Sequence, residues 1–177
     1  MYPAKTGREG MMVANRVLLG MAQWSTALVS GMLDRAIGRG FRAVQTMEQG
    51  EEKLAEMMKQ RPKVEDDAWT SSPDLRKALT AGLTGAFETG GRGAAWEFYL
   101  NGKDWGFELE DVQVEPGQLV MWHGGEDINC PVQSAKKTAE LIKNADLRIS
   151  ESDAHISIVA KTVDEVVQTL NEMLLRT

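Results

Sequence analysis

LVMWHGGEDINCPVQSAKKTAELIKNADLRISESDAHISI, residues 119–158, is the stretch on which the fold of this chain turns. Gln118 to Trp122 is a short apolar run of the kind buried on both faces of a parallel sheet. A glycine-bearing acidic turn follows, Gly124-Gly125-Glu126-Asp127. Pro131 then starts a helix whose Val132, Ala135, Ala139 and Ile142 share one side at 3-4-3 spacing. Leu147 to Ile149 is a second strand candidate, and Asp153-Ala154-His155 turns after it. Asp127 and His155 therefore each stand just past the end of a predicted strand. Open α/β sheets gather functional groups there, in the crevice beyond the carboxyl ends of the strands.

Working outward, Thr162-Val163-Asp164-Glu165 has the pattern of a capping box. It opens a final amphipathic helix carrying Val163, Val166, Val167, Leu170, Met173 and Leu174. The C-terminal part is then a β-α-β-α unit, two parallel strands joined by a right-handed crossover. Two strands alone make a poor open sheet, because a parallel pair is normally covered on both faces and continues into neighbours. Either the sheet is unusually small or the rest of it is missing from these residues, and the second reading is preferred.

Upstream of about residue 101 the pattern is helical throughout. Residues 11 to about 38 form a long apolar helix or a broken pair. Val13, Val17, Met21, Trp24, Leu28 and Met32 follow 4-4-3-4-4 spacing and make one continuous stripe. Residues 43 to 60 read as a more polar helix with a thin apolar face, ended by Arg61-Pro62. KVEDDAWTSS, residues 63–72, reads as a polar loop. Ser72-Pro73-Asp74 opens the next helix with a capping hydroxyl, a proline suited to the first turn and an acid that complements the helix dipole. Leu75, Leu79, Leu83 and Phe87 form its inner stripe. The glycine cluster 90–93 separates it from a short helix containing AAWEFYL. The expected partition is a helical region over 1–104 and an α/β region over 105–177.

Trp122-His123-Gly124-Gly125-Glu126-Asp127, then Pro131, then Asp153-Ala154-His155-Ile156-Ser157-Ile158, resembles the C-terminal third of the α/β-hydrolase fold. In that family the acid follows the seventh strand in an H-G-x-x-D context, and the histidine follows the eighth strand just before the last helix. Here the two are 28 residues apart, room for one helix and one strand. The helical first hundred residues look like the family's lid. The resemblance implies an α/β fold class, a lid-like region followed by the last β-α-β-α unit of a hydrolase sheet, and hydrolysis of an ester, lactone, amide or epoxide. It also implies Asp127 as the orienting acid and His155 as the general base.

The departures are specific. The family's order is nucleophile, acid, histidine, with the nucleophile in a G-x-S-x-G elbow before the lid. None of Ser25, Ser30, Ser71, Ser72, Ser134, Ser150, Ser152 and Ser157 has glycines at both flanking positions. The oxyanion-hole loop has no counterpart, and Ala154 stands where a glycine commonly precedes the histidine. Enzymatic competence is thus left open. The chain is expected to be a truncated hydrolase, inactive alone. The alternative is a non-catalytic relative acting as a small-molecule-binding or protein-interaction module.

Taken singly, Asp127 reads as a turn former or helix cap, and His155 as a turn histidine that satisfies a helix end. Together at two strand ends, they read as an acid–histidine pair. His123 reads as structural. His123, Asp127 and His155 form no metal-ligand motif, and no cofactor motif is present. Cys130 lies on the acid's loop rather than at a nucleophile elbow and reads as packing. Methionines 11, 12, 21, 32, 47, 57 and 58 supply core or an adaptable apolar roof over an apolar substrate.

A net charge of -6 with scattered Lys and Arg argues against a nucleic-acid partner. A single cysteine rules out an internal disulfide and fits a reducing compartment, with cytoplasmic location expected. The N-terminus lacks the plan of a secretory signal. Val17 to Leu33 is free of charge but short of the roughly 20 residues a membrane helix needs. It also contains Gln23, Ser25, Thr26 and Ser30, so a buried or membrane-apposed helix is read there rather than a span. The partners expected are a small apolar substrate or ligand, and self-association or a partner chain over an exposed sheet edge.

Overall fold

Local chemistry sets the order of elements in the computed structural model, which describes residues 3–175. These are helices α1 (Pro3–Thr6), α2 (Val13–Trp24) and α3 (Thr26–Leu33), a π-helical turn (Asp34–Gly38), and α4 (Arg39–Arg42). They continue with α5 (Met47–Met58), α6 (Lys63–Ser71), α7 (Pro73–Ala86), α8 (Arg92–Gly102) and a 3-10 turn (Leu109–Asp111). Strand β1 (Val120–Gly124), α9 (Val132–Leu141), β2 (Asp146–Ser150) and α10 (Ser157–Leu174) complete the chain. The protein is mostly helical, with one small parallel sheet among the described residues.

Two compact units emerge. One spans Met12–Trp105, and the other joins the described residues up to Met11 with those from Gly106 onward. In the helical unit, Ser25 adopts an extended conformation, breaks the apolar stretch and caps α3 by accepting from the Leu28 amide. The broken pair is thus the form adopted. Ala22, Val29, Leu33, Phe87 and Ala95 make one core cluster, where α2 and α3 pack on α8. Of the 4-4-3-4-4 stripe, Met21 packs against this cluster, while Val13, Val17, Leu28 and Met32 are exposed and Trp24 is 81% exposed. The inner faces are instead Leu19 and Ala22 on α2 and Val29 and Leu33 on α3, which leaves most of the stripe outside.

The segment expected to be a polar loop is α6. Its acids are distributed to stabilise a helix, with Glu65 and Asp66 in the positive first turn and Lys63 paired to Asp67 at 2.5 Å one turn on. Ala68 and Trp69 bury its inner side. α5 begins at Met47 rather than near 43, because Thr46 is extended and caps it by accepting from the Gln49 amide. α7 starts as its residues dictate: Ser72 accepts from the Leu75 amide and Pro73 occupies the first turn.

In the second unit β1 and β2 run parallel, pairing Val120 with Asp146 through Gly124 with Ser150. Both strands therefore end at the same edge of the sheet. α9 packs on both strands and α10 on β1. Leu109 and Ile142 are buried together, with Val112, Val114, Leu119, Leu141 and Ala145 packed around them. α1 lies against α9 through a buried hydrogen bond between Thr6 Oγ1 and Ser134 Oγ.

α10 starts at Ser157, not at Thr162. The Thr162 hydroxyl donates back to the Ile158 carbonyl inside the helix, and Glu165 receives Arg148 Nη1 at 2.6 Å rather than capping. Its outward face carries Val159, Val163, Val167, Leu170 and Leu174, all exposed. The far edge of β1 carries no strand among the described residues.

Candidate functional site

Asp127 ends a tight turn after β1. Its Oδ1 accepts from the amides of Asn129 and Cys130, both at 2.8 Å, which fixes the carboxylate over the turn. The side chain is only 3% exposed. His155 stands in the turn between β2 and α10 with its side chain 47% exposed. The structure brings the two together: His155 Nδ1 lies 2.8 Å from Asp127 Oδ2. A carboxylate oxygen can only accept, so the bond places a proton on Nδ1.

The meeting depends on two glycines. A Cβ on Gly124 would lie 2.5 Å from the Asp153 carbonyl oxygen and 2.6 Å from that of Ala154. On Gly125 it would lie 2.8 Å from the Glu151 carbonyl oxygen. With only hydrogens there, the 151–154 turn lies directly on the 124–126 turn. The Gly125 amide donates to the Ser150 carbonyl and the Glu126 amide to the Asp153 carbonyl, each at 2.8 Å.

The histidine turn is staked from below. Asp153 accepts from Ser150 Oγ and Lys161 Nζ, both at 2.5 Å, and the Ala154 amide donates to the buried Ser157 hydroxyl at 2.7 Å. Burial pushes the Asp153 carboxyl up, but the hydrogen bonds from Lys161 and Ser150 outweigh it and hold the group below the ordinary value. These residues escaped sequence reading because Asp153 and Ser157 look like ordinary turn and helix-start chemistry. Only their burial distinguishes them.

Asp127 follows the same logic. Burial alone would raise its carboxyl. Hydrogen bonds from His155 and the Cys130 and Asn129 amides win, holding it ionised below the usual carboxylate range. His123, at the end of β1, is buried and hydrogen-bonds through Nε2 to the Cys130 carbonyl at 2.7 Å. It thereby braces the acid's turn and sits 4.0 Å from Asp127 Oδ2. Cys130 is half-buried, and burial followed by the nearby Asp127 charge pushes its thiol up, away from the nucleophilic thiolate. A sulfur atom, an imidazole nitrogen and a carboxylate oxygen of Cys130, His155 and Asp127 nonetheless lie within 4.8 Å of one another.

Asp127 also lines a cavity of about 470 Å3 with Glu9, Gly10, Glu126, Pro131 and Gln133. A larger one of about 830 Å3 lies within the helical unit, between Phe41, Val44, Lys53 and Met57. No helix of the described residues is long and apolar enough to cross a membrane. Compared with family models, with curated proteins and with solved structures, the chain finds no match.

Proposed function

We propose that this chain is an α/β-hydrolase relative whose Asp127 and His155 serve as orienting acid and general base, and whose nucleophile is not among these 177 residues. The observation that carries the reading is the 2.8 Å bond between His155 Nδ1 and Asp127 Oδ2, made at the shared end of two neighbouring parallel strands. Asp127 holds the proton on Nδ1, so Nε2 is the atom that takes a proton from an attacking hydroxyl and returns it to the leaving group. The ionised, buried carboxylate stabilises the imidazolium formed in between. Substrates of the ester, lactone, amide or epoxide class fit such a pair. The helical unit is the lid of this reading, and the small sheet its terminal strands.

The test combines a spectrum with a rate. Nitrogen-15 NMR of the imidazole should show His155 protonated at Nδ1; a ring protonated at Nε2 would overturn the acid–base assignment. Turnover of a short-chain aryl ester should be equal in the chain and in His155→Ala. A rate abolished by His155→Ala would mean that a nucleophile lies within these residues after all.

The edge of β1 that no strand joins among the described residues, and the exposed apolar stripe on α10, favour a second reading, in which the chain works by association. Aliphatic side chains at 4-4-3-4 spacing on one face are a surface that water disfavours. A second copy or a partner chain covering this face is the expected arrangement. Sedimentation of the pure protein should show self-association or aggregation. A stable monomer with one cooperative unfolding transition would refute the reading.

A further inference from the structure

We infer that Asp127, Cys130 and His155 form a binding site for one divalent transition-metal ion of the zinc type. The inference needs only these three side chains and does not rest on the hydrolase reading. Their donor atoms lie within 4.8 Å of one another, the one such group of His, Cys, Asp and Glu side chains among the described residues. Tetrahedral donors on ligand bonds of about 2.0–2.3 Å stand about 3.3–3.6 Å apart, so an ion fits once the outlying donor closes in and the 2.8 Å His155–Asp127 pair opens slightly. Two of the donors come from one turn, which the Asn129 and Cys130 amides lock around Asp127 Oδ1. That leaves Oδ2 to face the ion. The third comes from the neighbouring strand end, on a turn anchored by Asp153 and Ser157.

Donor chemistry selects the class of ion. One thiolate, one imidazole and one carboxylate suit zinc and cobalt, and exclude magnesium and calcium, which take six or more oxygens. Three protein ligands leave a fourth position for water, the form of a site that exchanges ligands rather than a closed structural one.

The ion takes the place of a proton. His155 Nδ1 and Asp127 Oδ2 are 2.8 Å apart across a hydrogen bond, and both become ligands. The Nδ1 proton leaves and the neutral ring carries its proton on Nε2 instead. The Cys130 thiol ionises, so each ion bound releases one proton to solvent, the thiol's, while the neutral imidazole only moves its own proton from Nδ1 to Nε2. Ion binding and the acid–base pair therefore exclude each other. Spacing concealed this site, because Asp127-x-x-Cys130 and a histidine 25 residues later match no ligand pattern.

Titrating the whole chain with Co2+ tests it. The expected result is one ion per chain, with an intense near-ultraviolet thiolate-to-cobalt band that Zn2+ abolishes stoichiometrically. Cys130→Ser should remove the band, and His155→Ala should weaken binding by about tenfold or more. His155 is half exposed, so its replacement leaves the fold intact and keeps the test open should Cys130→Ser misfold. No band, or unchanged affinity in His155→Ala, would overturn the site. Neither result alters the metal-free imidazole spectrum that tests the acid–base pair.

Discussion

Asp127→Ala should cost the protein about 2–5 kcal/mol of stability, because it strips two part-buried amides of their shared acceptor, at up to about 1–3 kcal/mol each. The Asn129 and Cys130 amides both point at Oδ1. His155 loses its partner at the same time, but its half-exposed ring can turn to water at small cost. Asp127→Asn separates these contributions. The amide oxygen of Asn still accepts from both amides, so its loss should be well under that of the alanine variant. Equal losses in urea denaturation would refute the account.

The same pair of variants carries a pH signature whose sign follows from the carboxyl's depressed value. A group held below its unfolded value contributes stability above that unfolded value, near pH 4, and loses it as pH falls through the folded one. Acid should therefore destabilise the parent chain more steeply than Asp127→Asn. Asp34, Asp153 and Glu165, also held below their ordinary values by hydrogen-bond partners, are present in both proteins and contribute to the slope that remains. A parent curve no steeper than that of Asp127→Asn would show that Asp127 is not held ionised by its turn.

Gly124→Ala should be the second damaging change, at about 1–3 kcal/mol or more, and it should also part the acid from the histidine. The added methyl carbon would sit 2.5 and 2.6 Å from two backbone carbonyl oxygens, neither of which can swing aside like a side chain. The 151–154 turn must retreat to ordinary contact distance. His155 is attached to that turn, so its 2.8 Å bond to Asp127 stretches out of range. Denaturation and the imidazole nitrogen spectrum should change together. Gly82→Ala is the matched control: it lies within α7, a Cβ there meets nothing within 4 Å, and helix propensity should raise stability by about 0.5–1 kcal/mol. A Gly124→Ala protein as stable as its parent, with the Nδ1 proton retained, would show that the two turns are not packed as described.

Much of the architecture could be read before any coordinates because its causes are local. Ser72-Pro73-Asp74 starts a helix by capping, ring geometry and charge, all within three residues. Gly90, with φ of +97°, interrupts helix by backbone freedom. The apolar runs near 120 and 147 are strands because short β-rich segments between turns have few alternatives. α6 was less legible: its acids look like a solvated loop until their positions along a helix are counted. The start of α10 is not legible locally, because Thr162 and Glu165 suit a cap as well as they suit a mid-helix back-bond and an ion pair to Arg148.

The sequence by itself determined a helical first hundred residues, a terminal β-α-β-α order, and an acid and a histidine beyond the strand ends. Each follows from periodicity or turn chemistry over a few residues. Tertiary structure alone decided that Val13, Val17, Trp24, Leu28 and Met32 face outward, since α2 and α3 bury Leu19, Ala22, Val29 and Leu33 instead when they pack on α8. It alone decided that Cys130 comes near His155, because strand register and the close approach at Gly124 bring together turns distant in sequence. A side chain's neighbours across a sheet edge are set by packing between elements, and no local pattern of residues encodes them.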